Sequence, residues 1–449
     1  MFIRQTLTKS LYTVTKPQLL ANLQELERFQ WLSLAELQAL QQQYLQCLLE
    51  YAYTYVPYYR DLFNQIGLKP ADVATDPTAF QKIPPLTKRL IRQNGDRLVT
   101  TEPSRRANLF RVKTGGTTGE PLWFTQDQIY RNYNFSHDYH IMTWSGWQLG
   151  QPQFWLWGHV PDTAPTGLKA MAGQAKDWLI NRFDTNAFIM SPDSLTQFAK
   201  QMGKYPHGVL WSYVSTAYRF AQFLQERPAL AAPIKLRAIY TAAEPLFDQQ
   251  RALIEQVLGC RVFNCYSSID TGDIACECDR HNGLHITMRN CYVEVLRDGQ
   301  AVADGEAGEF VLTNLINYAM PMIRYQIEDW GRKSTRTCNC GRGLPLVEVV
   351  EGRKIDLFKT RDGRTVYGAF AKDLLPTIGS VKQFQVVQKN LDLVIFRIMT
   401  ESIINPEKLQ HIEQATKNAL GHNVTVQFEF VDSLPTTPTG KHRYLVSEI

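Results

Sequence analysis

From about residue 105 onward, short apolar runs alternate with longer amphipathic stretches, and that alternation leaves few folds open. Phe154–Trp157, Gly208–Trp211 and Ile234–Thr241 read as strands, and Leu195–Met202 and Ser215–Gln225 read as helices. Strands separated by helix-length crossovers predict an α/β sheet. Residues 282–315 differ. His285–Met288, Tyr292–Leu296 and Glu309–Thr313 are strand-like, and Arg297-Asp298-Gly299-Gln300 is a turn between two of them, which predicts an antiparallel meander. Residues 17–66 read as helical: Ser33 and Glu36 make a capping box, after which Leu37, Leu40, Tyr44 and Leu48 recur at helical spacing. A boundary falls near Gly352-Arg353-Lys354. Beyond it, Val381–Arg397, Pro406–Leu420 and Val424–Val431 predict a small α+β domain. The organisation expected is a domain over 1–352, with 1–104 as a helical lead-in, and a second domain over 353–449.

Composition narrows the function classes. Hydrophobic residues make up 44% of the 449 and charged residues 20%, which suits a globular protein with a large core. The formal net charge of +5 is mild for this length, and the basic residues form no long runs, so nucleic acid is not an expected partner. No apolar window reaches about 18 residues, so no membrane span is expected. The first 14 residues lack the apolar core of a signal peptide, which predicts a cytoplasmic protein.

Seven of the eight cysteines lie between Cys260 and Cys340. A disulfide framework would be spread along a small secreted chain, so this clustering points to a local metal site. Cys278-Asp279-Arg280-His281 and Cys338-Asn339-Cys340 supply three thiols and an imidazole, the complement of a structural zinc. Cys278, His281, Cys338 and Cys340 are the expected ligands, with Cys276 and His285 in reserve.

Thr114-Gly115-Gly116-Thr117-Thr118-Gly119-Glu120-Pro121 is the clearest chemical motif. Glycines let backbone N–H groups approach an anion, and threonine hydroxyls add donors. The Gly-Lys-Thr ending of a Walker loop is missing. Taken alone, the segment is equally a Gly/Thr-rich hairpin turn.

Five further segments follow it: Ala242-Ala243-Glu244-Pro245-Leu246, Tyr266-Ser267-Ser268-Ile269-Asp270, Ala319 to Asp329, Gly352-Arg353-Lys354-Ile355-Asp356, and Leu434 to Lys441. In this order the six resemble the signatures of the adenylate-forming superfamily, in the phenylacetate–CoA ligase and capsule-biosynthesis branch. The resemblance spans residues 114–441. It implies a large α/β adenylation domain with mixed sheets and an antiparallel meander, followed by a small α+β lid. It also implies ATP-dependent activation of a carboxylic acid, with magnesium, and transfer of the acyl group to a thiol such as CoA.

The same resemblance assigns roles. Thr114, Gly115, Gly116, Thr117, Thr118 and Gly119 would wrap the ATP phosphates, with Thr118 acting in catalysis. Ala243, Glu244 and Pro245 would line the adenine site, Tyr266 would stack at the adenine, and Ser267 would stand beside it. Asp270 would hold magnesium, Asp329 would accept from the ribose hydroxyls, and Arg353 would bind ribose or phosphate. Lys441 would offset charge as pyrophosphate leaves. A homodimer through the N-terminal helices is also compatible with similar ligases.

The sequence departs from the family at several points. Ser267 replaces a glycine, Asp270 a glutamate, and Ile355 an acidic residue, while Thr360–Val366 differs from the segment associated with CoA access. The acceptor is therefore open between CoA, an amine or hydroxyl in natural-product or polysaccharide assembly, and a carrier-protein thiol. Trp155, Trp157, Trp211, Tyr213 and Tyr240 are candidates to line an aromatic-acid pocket, and equally serve as strand core.

Overall fold

The computed structural model describes residues 2–113, 122–158, 177, 179–187, 189–353, 357–363, 365–367, 381–400, 404–435 and 444–449. They form two compact units. One runs from the N-terminus to Val349 without Glu328–Gly331, and the other takes Glu328–Gly331 and Val350–Ile449.

The first unit opens with helices Phe2–Thr15, Pro17–Phe29, Leu34–Tyr55 and Pro57–Gln65. The expected capping box is present: Ser33 Oγ accepts from Glu36 N–H, and the Glu36 carboxylate accepts from Ser33 N–H at 2.8 Å. A two-stranded hairpin follows, β1 (Leu109–Lys113) and β2 (Trp123–Asp127).

The main sheet has twelve strands. These are β3 (Gln153–Trp157), β4 (Arg182–Asn186), β5 (Gly208–Tyr213), β6 (Leu236–Ala242), β7 (Arg261–Ser268), β8 (Gly272–Glu277), β9 (Leu284–Ile286), β10 (Cys291–Arg297), β11 (Gln300–Ala301), β12 (Gly308–Asn314), β13 (Tyr325–Lys333) and β14 (Leu346–Arg353). Their order is β11-β10-β12-β13-β14-β9-β8-β7-β6-β5-β3-β4. From β4 to β7 every pairing is parallel. A parallel strand is covered on both faces, and all of β5 is buried accordingly. Helix Pro192–Lys204 lays Leu195, Phe198, Ala199 and Met202, one helical face, into the core that holds Phe154 and Leu210.

β8 turns antiparallel to β7, which makes the sheet mixed. The expected meander is only partly formed. β10 pairs with β12 and with β11, and Asp298 and Gly299 take positive φ (52° and 80°) in the two-residue turn. The run at His285 does not join them. β9 pairs instead with β8 and β14, because Thr287 and Asn290 donate their side-chain hydrogens to the Asp273 carbonyl and hold this stretch against β8.

The second unit carries a hairpin, β15 (Leu357–Lys359) and β16 (Thr365–Tyr367), and a sheet of order β19-β18-β17-β20. The sheet strands are β17 (Val381–Asn390), β18 (Leu393–Thr400), β19 (Thr425–Phe430) and β20 (Leu445–Ser447). Helix Pro406–Leu420 is capped by Asn405, whose side-chain Oδ1 accepts from Glu407 N–H at 2.9 Å. Ile412 and Leu420 of this helix join Val386, Val394 and Phe396 in the core of the unit. Among the described residues no helix is long and apolar enough to cross a membrane.

Candidate active site

β6 and β7 are neighbouring parallel strands, and their carboxyl ends carry two of the predicted segments side by side. Ligands of open α/β sheets bind at that edge. Ala243, just past β6, has φ of 69°, a left-handed conformation that costs a residue with a Cβ. The turn it makes returns Glu244 toward helix Val214–Gln225. There its carboxylate accepts from Ser215 N–H at 2.7 Å and Ser215 Oγ–H at 3.0 Å. Glu244 thus anchors the adenine-type segment to the start of a helix, where an anion is favoured by unpaired N–H groups. Sequence reasoning missed Ser215. The only available signal was a serine at the start of the helix after β5.

Tyr266 lies on β7, half-buried, with its ring 5.8 Å from Phe310 of β12. The ladder is irregular between Tyr266 and Ser267, and Ser267 then faces Asp273 of β8. Asp270 sits in the β7–β8 turn and is buried. That turn is held from several sides. Ser268 Oγ accepts from Thr271 N–H at 3.2 Å, and the Thr271 carbonyl accepts from Asn314 at 2.7 Å and Asn290 at 3.2 Å. The carboxylate is therefore presented from a fixed loop. Beside it, His137 Nδ1 and the Asp273 carboxylate lie 3.1 Å apart, buried. No spacing in the sequence pointed to this pair.

Asp329 lies half-buried on β13, next to Glu328, whose φ is 69°. In the segment before it, Arg324 (φ 51°) has a structural role. Its guanidinium pairs with the Glu294 carboxylate through two 3.0 Å contacts and donates to the Gln81 and Ile83 carbonyls. Both side chains are buried. Arg324→Met leaves Glu294 charged and unpaired, so it is expected to cost about 3–5 kcal/mol, read as a lower midpoint of chemical unfolding. Thr114 to Gly119 and Lys441 lie outside the described residues, as does the Arg353 side chain at the end of β14.

The cysteine cluster is well formed but differs in one ligand from the sequence expectation. Cys278, His285, Cys338 and Cys340 bring their ligand atoms within 4.8 Å of one another. The fourth group is His285, not His281. His281 is turned away from Cys278: it has φ of 51°, and its Nδ1 meets the Glu277 carboxylate at 3.2 Å. His285 enters from β9, buried. Its Nδ1–H donates to the Leu344 carbonyl at 3.0 Å, which leaves Nε2 facing Cys340 Sγ at 3.4 Å. Burial lowers its pKa to about 4, so the ring is neutral, the form that ligates metals. The reserve candidate Cys276 is bonded to Cys265, directly opposite on β7.

Cys278 Sγ and Cys338 Sγ lie 3.7 Å apart. Tetrahedral zinc with bonds of about 2.3 Å sets thiolates about 3.7 Å apart. Backbone N–H groups of Arg280 and Arg342 point at Cys278 Sγ and Cys340 Sγ, both at 3.4 Å. The donor set fits zinc. Arg342 also links the cluster to the N-terminal helices, donating to Gln30 at 2.7 Å, and a Cβ on Gly343 would collide with the Leu32 carbonyl at 1.9 Å.

The aromatic candidates divide into two rows. Trp155, Trp211 and Tyr240 stack across β3, β5 and β6 at 5.4 and 5.0 Å, and Tyr240 donates to the Ile141 carbonyl. That row is core. Trp157 and Tyr213 stack at 4.1 Å nearer the carboxyl ends of β3 and β5.

Solved structures share this architecture. A 2-hydroxyisobutyryl-CoA ligase, crystallised in its postadenylation state, superposes with a TM-score of 0.74 at 18% identity, over 94% of this chain and 92% of the ligase. CapK of Staphylococcus aureus is 21% identical over 82% of this chain and 80% of its own length. Phenylacetate-coenzyme A ligase of Escherichia coli is 27% identical over 75% and 76%. The CapK C-terminal domain family matches residues 358–448. The fold is that of the adenylate-forming enzymes. In sequence the chain is similar to the phenylacetate–CoA ligases and CapK.

Proposed function

We propose that this protein activates a carboxylic acid with ATP and passes the acyl group to the thiol of CoA. The observation that carries this reading is the placing of two signature segments, Ala242–Leu246 and Tyr266–Asp270, at neighbouring carboxyl ends of parallel strands. The relatives named for CoA ligase activity support it over most of the chain. In the first step a carboxylate oxygen attacks the α-phosphorus, the bond from that phosphorus to the bridging oxygen breaks, and pyrophosphate leaves. In the second the thiol sulfur attacks the acyl carbon and AMP leaves. Two anions must meet in the first step, so the site has to offer positive charge and aimed donors.

Ala243, Pro245 and Tyr266 would hold the adenine, and Asp329 the ribose. The Thr114–Gly119 loop and Lys441 would face the phosphates, with Arg353 at ribose or phosphate. A magnesium ion at Asp270 would supply charge neutralisation when bound. Zinc at Cys278, His285, Cys338 and Cys340 would be structural, since four protein ligands leave no open position. Trp157 and Tyr213 are the aromatic pair best placed for the acid. The reaction would run in the cytoplasm, where ATP and CoA are available.

The test is pyrophosphate release with ATP, magnesium and a panel of aryl, fatty and amino acids, with and without CoA. Release that depends on one acid, with a thioester formed only when CoA is present, is expected. Acid-dependent release with no use of CoA would move the acceptor to an amine, a hydroxyl or a carrier-protein thiol. No release with any acid, together with no ATP binding, would sink the reading.

A further inference from the structure

Three carboxyl groups gather where helix Gln128–Thr143 meets the β7–β8 turn: Asp138 on the helix, Asp270 in the turn and Asp273 on β8. Neighbouring carboxylates repel, and an interior screens that repulsion poorly, so each needs its own solution. Asp138 shares a hydrogen bond with Asp273. Burial first, and the Asp273 charge next, push its pKa well above the usual carboxyl range, so Asp138 is the protonated donor of the two. Asp273 has a second partner. Its Oδ2 lies 3.1 Å from His137 Nδ1, with both side chains buried. A carboxylate oxygen can only accept, so the hydrogen belongs to Nδ1. Asp270 differs from both. It is buried as a residue, yet its carboxylate makes no hydrogen bond or ion pair among the described residues.

The backbone around Asp273 is fixed as firmly as its side chain. The Asp273 carbonyl accepts from the Thr287 hydroxyl at 2.6 Å and from the Asn290 amide at 2.5 Å. Gly272, just before it, has φ of 74°, and a Cβ there would come within 2.9 Å of Asn134 Oδ1 and 3.2 Å of the Tyr130 hydroxyl. The helix therefore closes directly on the start of β8, with Tyr130, Asn134 and His137 on one of its faces. Asp270 is three residues from Asp273 along the chain. Ser267, the neighbour of Tyr266, is the ladder partner of Asp273 on β7. A displacement of Asp273 from the helix would thus pass to the turn that carries Asp270 and to the strand that carries Tyr266.

We propose that His137 is a positioning residue for acyl-adenylate formation: by binding Asp273 it fixes the start of β8 and leaves Asp270, alone of the three acids, open to the magnesium that accompanies ATP. The proposal rests on the adenylate-forming reading above, in which Asp270 holds that ion. His137 touches neither nucleotide nor metal. It acts through Asp273, which would otherwise stand as an unpaired anion beside Asp270 or swing out of the helix contact. Hydrogen-bond partners that orient a metal site in this way typically change metal affinity by about 10–100-fold when removed.

The test uses the full chain, titrated calorimetrically with ATP in the presence of magnesium and again in the presence of a chelator. In the wild-type protein magnesium is expected to strengthen ATP binding. In His137→Leu that gain should shrink about tenfold or more, while the affinity for metal-free ATP holds. His137→Asn should restore the gain, because its amide places an N–H close to the position of Nδ1. If His137→Leu does not fold, Asp273→Asn replaces it with the same expectation, since it keeps an acceptor for Asp138 and loses the charge that His137 binds. An undiminished gain in His137→Leu would mean that the histidine does not act on Asp270. Equal weakening with and without magnesium would mean a purely structural role, and a folded His137→Asn that fails to restore the gain would mean that the N–H is not what matters. Each of these overturns the proposal, as does wild-type protein that binds ATP with no gain from magnesium. Wild-type protein that binds no ATP under either condition would instead remove the adenylate-forming reading on which the proposal stands.

Discussion

Lys441→Ala is expected to lower the rate of acyl-adenylate formation by about 10²–10³-fold, the range seen when one aimed charge or donor is taken from a transition state. The argument is electrostatic. The attacking carboxylate and the triphosphate are both anions, and negative charge grows on the bridging oxygen as pyrophosphate departs. Lys441 is the lysine of the Leu434–Lys441 segment, whose resemblance places it at that point. The second step has no such need, because the pyrophosphate has gone and the leaving group is AMP alone. Preformed acyl-adenylate should therefore pass to CoA at close to the wild-type rate in the Lys441→Ala protein. The two measurements are pyrophosphate release for the first step and thioester formation from added acyl-adenylate for the second. An unchanged first step would deny Lys441 its role. Equal loss in both would point to damage to the fold of the C-terminal unit instead.

What could be read from the sequence was local. The capping box at Ser33, the turn at Asp298-Gly299 and the helix Pro406–Leu420 each depend on a few neighbouring residues, and each is present. The parallel strands were legible because burial on both faces makes them continuous apolar runs, as in β5. Pairing across long separations was not legible. β9 has the apolar pattern of a meander strand, yet it pairs with β14 some sixty residues on, and the pattern carries no address for its partner. The same limit acted on the site. Glu244 could be placed at the adenine end by its motif, but its two hydrogen bonds to Ser215 bridge 29 residues and left no mark in the sequence. Trp155, Trp211 and Trp157 look alike as strand aromatics. Only the register shows that the first two stack in one row with Tyr240 while Trp157 stands a row nearer the strand ends.

The cluster of Cys278, His285, Cys338 and Cys340 shows the same limit in a form that can be tested. His281 was the nearer histidine in sequence, and proximity favoured it; the fold instead selects His285, carried in by β9. One zinc per chain is expected by elemental analysis. Cys338→Ser and His285→Ala should each lose the metal, whereas His281→Ala should keep it, since His281 faces Glu277 and packs on Phe263. The loss should be felt as stability. The ligands come from the ends of β8 and β9 and from the loop between β13 and β14, and Arg342 in that loop also grips Gln30 of the N-terminal helices. Without the ion, three thiols and an imidazole would stay crowded within 4.8 Å with nothing to hold them together. Metal binding energy at such a site is folding energy. Even the loss of about 3 kcal/mol would lower the melting temperature by roughly 4 °C in a unit of this size. A chelator that removes the metal should produce the same shift in the wild-type protein, and no further shift in Cys338→Ser. Retention of zinc by His285→Ala with loss in His281→Ala would restore the sequence-adjacent ligand and would require the β8–β9 turn to refold around it.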